Sequence, residues 1–305
     1  MKKDRRNFLK LTTAAAASMV PAVSGASIEH DEEDFNDVFG VLVDTTVCIG
    51  CRNCELACNQ ENKLPEQPNG HFSDKSVFDS RRRPSVESLT VVNSCMDSNV
   101  LDDLNGKSYG KIQCMHCNHP ACVSACIVGA LTKCNHGVVA YDAWKCIGCR
   151  YCMVACPFQI PAYEFKEALK PRVMKCTFCY DRIHDDKKPA CVESCPVEAL
   201  TFGKRGDLIK LAHSKIETDP DSYFDHVYGE SEIGGTSWMY LASNEFINYD
   251  LPKLTEEHIP STTESIQHGI FKSFLPPLAL YGFLGLIMHS IRQDEKKEAE
   301  TDEQS

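Results

Sequence analysis

This sequence predicts an α+β fold built of two similar modules, and three observations carry the prediction. The phrase CIGCRNCELAC at 48–58 returns almost letter for letter as CIGCRYCMVAC at 146–156. A second phrase, ACVSACIVGALT at 121–132, returns as ACVESCPVEALT at 190–201. Of 18 cysteines in 305 residues, sixteen fall into four groups of four. A chain that repeats its phrases repeats its fold, here a tight cysteine turn running into a helix.

The rest of the composition is ordinary for a folded chain, with 25% charged and 43% hydrophobic residues. A net charge of -11, from 32 basic against 43 acidic side chains, argues against a nucleic-acid partner, because phosphate contacts need Lys and Arg in excess. The run Arg81, Arg82, Arg83 is expected to form a solvated loop face.

Residues 1–26 read as an export signal: a basic start, an Ala/Thr-rich apolar stretch and a small-residue stop at Ser24-Gly25-Ala26. Arg5-Arg6 followed by Asn7-Phe8-Leu9-Lys10 resembles the twin-arginine motif, with Asp4 where that motif usually has Ser or Thr. An acidic leader (27–40) precedes the cysteine-rich body (41–205), which carries an insertion at 59–110. A C-terminal extension (206–268) follows. FLPPLALYGFLGLIM at 274–288 is uncharged and strongly apolar, and a transmembrane anchor is expected over 270–291. Arg292, Lys296 and Lys297 put the charged tail, 292–305, on the cytoplasmic side and the body on the periplasmic side.

The cysteine spacing names the chemistry. Cys48, Cys51, Cys54, Cys58 and Cys146, Cys149, Cys152, Cys156 both read C-x2-C-x2-C-x3-C. The other groups are Cys114, Cys117, Cys122, Cys126 and Cys176, Cys179, Cys191, Cys195. Two-residue gaps let one turn aim three thiolates at corners of a single iron–sulfur cubane, while the fourth cysteine, on the departing helix, ligates the partner cluster. Pro157 and Pro196 follow the fourth cysteine as in bacterial ferredoxins; Asn59 and Ile127 stand there in the other groups. Zinc sites use ligands in two pairs rather than an even triplet plus one. Thiols two residues apart are poorly placed for disulfides. There is no C-x2-C-H for c-type haem and no phosphate-binding loop of the G-x4-G-K-[ST] kind. Spacing alone leaves two arrangements open: tandem modules, or a central pair of groups with the outer pair closing around it.

The four groups, the twin-arginine-like start and the apolar C-terminus resemble the four-cluster iron–sulfur subunits of membrane-bound respiratory oxidoreductases, among them formate dehydrogenase, dimethyl sulfoxide reductase and polysulfide reductase. FGVLVDTTVCIGC, VYGESEIGGTSWMYL (227–241) and NYDLPKL with ESIQHGIFKSFLPPLAL are similar, more narrowly, to the HybA-type subunit of periplasmic nickel–iron uptake hydrogenases. The resemblance implies nested groups: Cys48, Cys51, Cys54 with Cys195; Cys58 with Cys176, Cys179, Cys191; Cys114, Cys117, Cys122 with Cys156; and Cys126 with Cys146, Cys149, Cys152. It implies four 4Fe–4S clusters, all sixteen ligand positions being cysteine, and no catalytic residue. The expected role is a membrane-anchored periplasmic relay between a catalytic subunit, with nickel–iron hydrogenase favoured, and a quinone-reactive integral membrane subunit. A molybdopterin oxidoreductase such as formate dehydrogenase or a sulfur or sulfoxide reductase is the alternative catalytic partner. A zinc or disulfide scaffold is the remote one. Arg52, Arg150, Lys145 and Lys175 are either cations that tune the clusters or solvated charges. His116 and His119 are expected as hydrogen-bond donors beside the ligands, Cys95 and Cys134 as ordinary thiols, and Trp144 and Trp238 as packing residues.

Overall fold

In the computed structural model, the described residues are 35–96, 107–167, 171–261, 281–290 and 292. The chain divides into two compact units, residues 34–260 and a second made of 1–33 with 261–305. The α+β class holds. The first unit is organised on a three-stranded sheet in the order β8-β1-β9, with β1 (Phe39–Asp44) at its centre. Strand β8 (Leu200–Lys204) runs antiparallel to it and β9 (Trp238–Leu241) parallel.

Side chains alternate across a strand, and here both faces are covered. Val41, Val43, Leu200, Trp238 and Tyr240 point into the main core with the cysteine groups. Leu42, Met239 and Leu241 point the other way, onto Leu208, Ala212 and Ile216. Those three lie four residues apart on one face of helix α3 (Arg205–Thr218). Each fully buried aliphatic side chain of this layer contributes about 1.5–3 kcal/mol. The stretch after 206 is therefore part of the body: it supplies both the covering helix and an edge strand of the sheet.

Register explains how the repeat folds. Val43 pairs with Leu200; Cys48 lies five residues after the first and Cys195 five before the second, so an antiparallel pair brings both to one end. Between them, β4 (Leu131–Lys133) and β5 (Val139–Tyr141) form a hairpin in which Leu131 faces Tyr141. Cys126 lies five residues before Leu131 and Cys146 five after Tyr141. The same geometry is built twice, once from distant segments and once from a local hairpin. Two further hairpins, β2 (Val91–Met96) with β3 (Lys107–Ile112) and β6 (Ala162–Tyr163) with β7 (Val173–Met174), lead into Cys114 and Cys176.

The membrane span is the main correction. Among the described residues no helix is long and apolar enough to cross a membrane. The described helix in that region covers 281–290 only, where a span needs about 20 residues. Pro276 and Pro277, and the rest of 270–280 with 291, lie outside the described residues. The anchored, periplasm-facing placement rested on that span and falls with it. The export signal over 1–26 and the leader up to residue 34 also lie outside the described residues, as do 293–305.

Candidate metal centres

The two triplet phrases fold alike because their glycine and arginine both turn left-handed. Gly50 has φ +62° and Gly148 +71°. A Cβ on Gly50 would stand 2.5 Å from the Tyr109 ring, and one on Gly148 2.9 Å from the Tyr163 hydroxyl. Only glycine accepts both the dihedral and the ring. Arg52 (φ 68°) and Arg150 (φ 64°) then cap helices α1 (Asn53–Glu61) and α2 (Tyr151–Ala155). Helix α1 carries Cys54 and Cys58 one turn apart on one face; α2 carries Cys152 and ends at Cys156. Backbone N–H groups also reach sulfur, Ala130 donating to Cys126 Sγ at 3.2 Å and Phe178 to Cys176 Sγ at 3.3 Å.

The thiols gather in fours. Burial, then the nearby Cys195 and Cys51, raise the Cys48 thiol to about 11, and Cys48, Cys51, Cys54 and Cys195 bound a single apolar-lined cavity. Burial raises Cys58 well above the usual thiol range, with Cys176, Cys191 and Cys179 adding to it. Cys117 is raised likewise by burial, then by Cys114, Cys156 and Cys122. Burial followed by Cys146, Cys126 and Cys149 raises Cys152 to about 11. These four neighbourhoods contain all sixteen predicted ligand positions. Each also acts on the next: Cys54 feels the charge of Cys191, Cys176 that of Cys114, and Cys122 that of Cys152.

Crowded, buried thiols resist ionisation, and a bound cation reverses that, since a coordinating thiol is deprotonated outright. A donor set of thiols alone suits iron–sulfur chemistry. Among the described residues no three His, Cys, Asp or Glu side chains draw in around a single ion; the sulfurs of the first quartet stand instead around the cavity they share.

The charges near the thiols divide. Arg52 is fully buried and bonds Glu55 at 2.9 Å, while Arg82 reaches the same carboxylate at 2.7 Å. The solvated reading of the arginine run is thus corrected for Arg82, because Glu55 inside the fold needs a second cation. Lys175 is buried, donating to the Val139 carbonyl at 2.6 Å. Arg150 is exposed, lying over Tyr163 and Phe165, and Lys145 is exposed beside Asp142. His116 is buried, and its Nδ1 accepts the Val139 N–H at 2.9 Å, which leaves the proton on Nε2. His119 stacks on His258. The Cys95 thiol donates to the Asn248 carbonyl at 2.7 Å. Trp238 packs fully buried, whereas Trp144 is 92% exposed and packs nothing within the body.

Sequence reasoning missed Lys111. It sits in β3 with 3% exposure, lines the first four-cysteine cavity and lies 4.4 Å from the Trp238 ring. Its strand alternates too weakly to mark a buried lysine, so no sequence signal pointed to it.

Residues 107–205 match the family model described as a 4Fe-4S dicluster domain. The chain is 49% identical over 246 residues to a protein of Nitratidesulfovibrio vulgaris, covering 80% of this chain and 65% of that one. It is 34% identical over 321 residues to the hydrogenase-2 operon protein HybA of Escherichia coli O157:H7, covering 95% and 97% of the two chains. It is also 34% identical over 284 residues to the iron–sulfur subunit of the nitrate-inducible formate dehydrogenase of Escherichia coli K12, covering 89% and 90%. Equal identities correct the expectation of a specifically hydrogenase-type subunit.

Proposed function

From a chain that belongs to the family of 4Fe–4S iron–sulfur subunits represented by HybA and the formate dehydrogenase subunits, we propose an electron-transfer subunit with four 4Fe–4S clusters, serving a formate-dehydrogenase-type molybdopterin oxidoreductase. The clusters would supply one-electron storage; the chain's own residues hold, order and bury them. Cys48, Cys51, Cys54 and Cys195 hold the first; Cys58, Cys176, Cys179 and Cys191 the second. Cys114, Cys117, Cys122 and Cys156 hold the third, and Cys126, Cys146, Cys149 and Cys152 the fourth.

What carries this reading is the sorting of the sixteen thiols into four neighbourhoods, the first of them around one cavity, each acting on the next. Such a row is what a wire needs, each centre close to the next and entry and exit at its ends. The choice of catalytic partner leans on the formate dehydrogenase relative, whose name makes it an iron–sulfur subunit of a defined enzyme.

Anaerobic purification from a native membrane-bearing extract tests both parts. Four cubanes give about sixteen iron and sixteen acid-labile sulfide per chain; saturation near half of that overturns the four-cluster assignment. Co-purification with a molybdenum or tungsten subunit that oxidises formate is expected. A nickel–iron large subunit in its place overturns the formate dehydrogenase assignment and leaves the clusters standing.

A further inference from the structure

Two cations line the cavity bounded by Cys48, Cys51, Cys54 and Cys195: Arg52 and Lys111. They are not equivalent. Arg52 is ion-paired at 2.9 Å with Glu55, a carboxylate as buried as itself, which it shares with Arg82. Lys111 meets only neutral groups. Its Nζ donates to Gln113 Oε1 at 2.8 Å and faces the Trp238 ring at 4.4 Å. Gln113 is held in place in turn, its amide donating to the Tyr240 hydroxyl at 2.6 Å, which donates to the Lys111 carbonyl at 2.8 Å. Among the described residues no carboxylate forms an ion pair with Lys111.

An ammonium group shut away from water with neutral partners is costly unless an anion faces it. The thiols that act on it most strongly belong to two groups, Cys191 and Cys176 of the second and Cys54 of the first, and Cys54 lines the same cavity as Lys111. On the cluster assignment proposed above, we propose that Lys111 is the fixed counter-charge shared by the first two clusters, and that it raises their reduction potentials. Reduction adds one electron to a group that is already net negative, and a buried cation beside it stabilises that added charge. Gln113, Tyr240 and Trp238 act through Lys111 as positioning residues, fixing where the charge stands.

The test uses the full, cluster-loaded chain and EPR-monitored redox titration, with iron and sulfide measured on each sample. Lys111→Met and Lys111→Gln remove the charge at similar size. Each is expected to lower the one-electron reduction equilibrium of at least one cluster tenfold or more, a shift of about 59 mV. Lys111→Arg keeps the charge and should leave every midpoint within threefold of wild type. Unchanged midpoints in a fully loaded neutral variant overturn the proposal, as does an equal shift in Lys111→Arg. If both neutral variants lose iron, protein labelled with 15N only at lysine Nζ decides. A 15N coupling to a reduced cluster, present in wild type and missing from Lys111→Arg, supports the assignment; identical spectra overturn it. Low iron in wild type itself would instead sink the four-cluster reading, so the two failures are distinguishable.

Discussion

Gly50→Ala puts the repeated phrase to a quantitative test. The new methyl meets two separate penalties. At φ +62° an L-residue costs about 1–2 kcal/mol over glycine. The Cβ also lands 2.5 Å from Tyr109 Cδ1 and 2.6 Å from Cε1, well inside the ~3.5–4.0 Å carbon–carbon optimum. Forcing a packed ring aside costs about 1–3 kcal/mol, so Gly50→Ala should lose roughly 2–5 kcal/mol. Gly148→Ala is the internal control. Its φ is similar, but its clash is with one hydroxyl oxygen of Tyr163 at 2.9 Å, and the loss should stay near the backbone value of about 1–2 kcal/mol. For a body of this size each kcal/mol moves the melting point by about 2–4 °C. Anaerobic thermal scans at one fixed rate, following the iron–sulfur absorption, read the difference. Tyr109→Ala should remove the ring component, so that Gly50→Ala in that background costs no more than Gly148→Ala. Equal losses for the two alanines in the wild-type background would refute the reasoning, because they would mean the ring contributes nothing.

Glu55→Gln should destabilise by about 3–5 kcal/mol, since it leaves Arg52 buried without its anion; urea unfolding at neutral pH measures it. Burial works to raise the Glu55 carboxyl, but hydrogen bonds from Arg82 and Arg52 win and lower it. Its folded value therefore lies below its unfolded one. The stabilisation is present above the unfolded carboxylate value of about 4.3 and is lost as pH falls through the folded one. Urea midpoints of wild type should drop across that acid range, and those of Glu55→Gln should drop less. Arg150→Gln, at an exposed site over two rings, should cost under about 1 kcal/mol, while Arg52→Gln should approach the Glu55 value; similar losses would contradict the burial difference. Cys134→Ser and Cys95→Ser should leave iron content unchanged, with Cys95→Ser alone lowering the thermal midpoint by a few degrees.

The four cysteine groups were readable because ligand spacing is local, and a turn of three cysteines looks the same wherever it sits. Which group meets which was not readable from spacing. That depends on Val43 finding Leu200, a pairing between segments that share no periodic signal. The charges were half legible for a related reason. Arg52 and Arg150 occupy matching positions with matching dihedrals, yet one is sealed in by Glu55 and the other lies open over Tyr163. Glu55 stands three residues after Arg52, where the second phrase has Met153, so the phrase itself held part of this difference. Lys111 was invisible because Trp238 and Tyr240, which help make it tolerable inside, come from β9 far along the chain, and Gln113 two residues on carries no signal by itself. Trp144 misled by composition: a tryptophan is expected to pack, and this one stands in solvent beside the fourth group.

The strand pairing also sets a timetable for synthesis. The hairpin joining Leu131 to Tyr141 closes a short loop as soon as it emerges, with little chain entropy to overcome. The sheet joining Phe39 to Lys204 cannot form until nearly the whole body has been made. At about 5–20 residues per second, Cys48 waits roughly 7–30 s on the nascent chain before Cys195 exists to meet it. The inner sites can be completed early and the outer ones only at the end, so Cys48, Cys51 and Cys54 spend the longest time as open thiols exposed to oxidant or to the wrong metal.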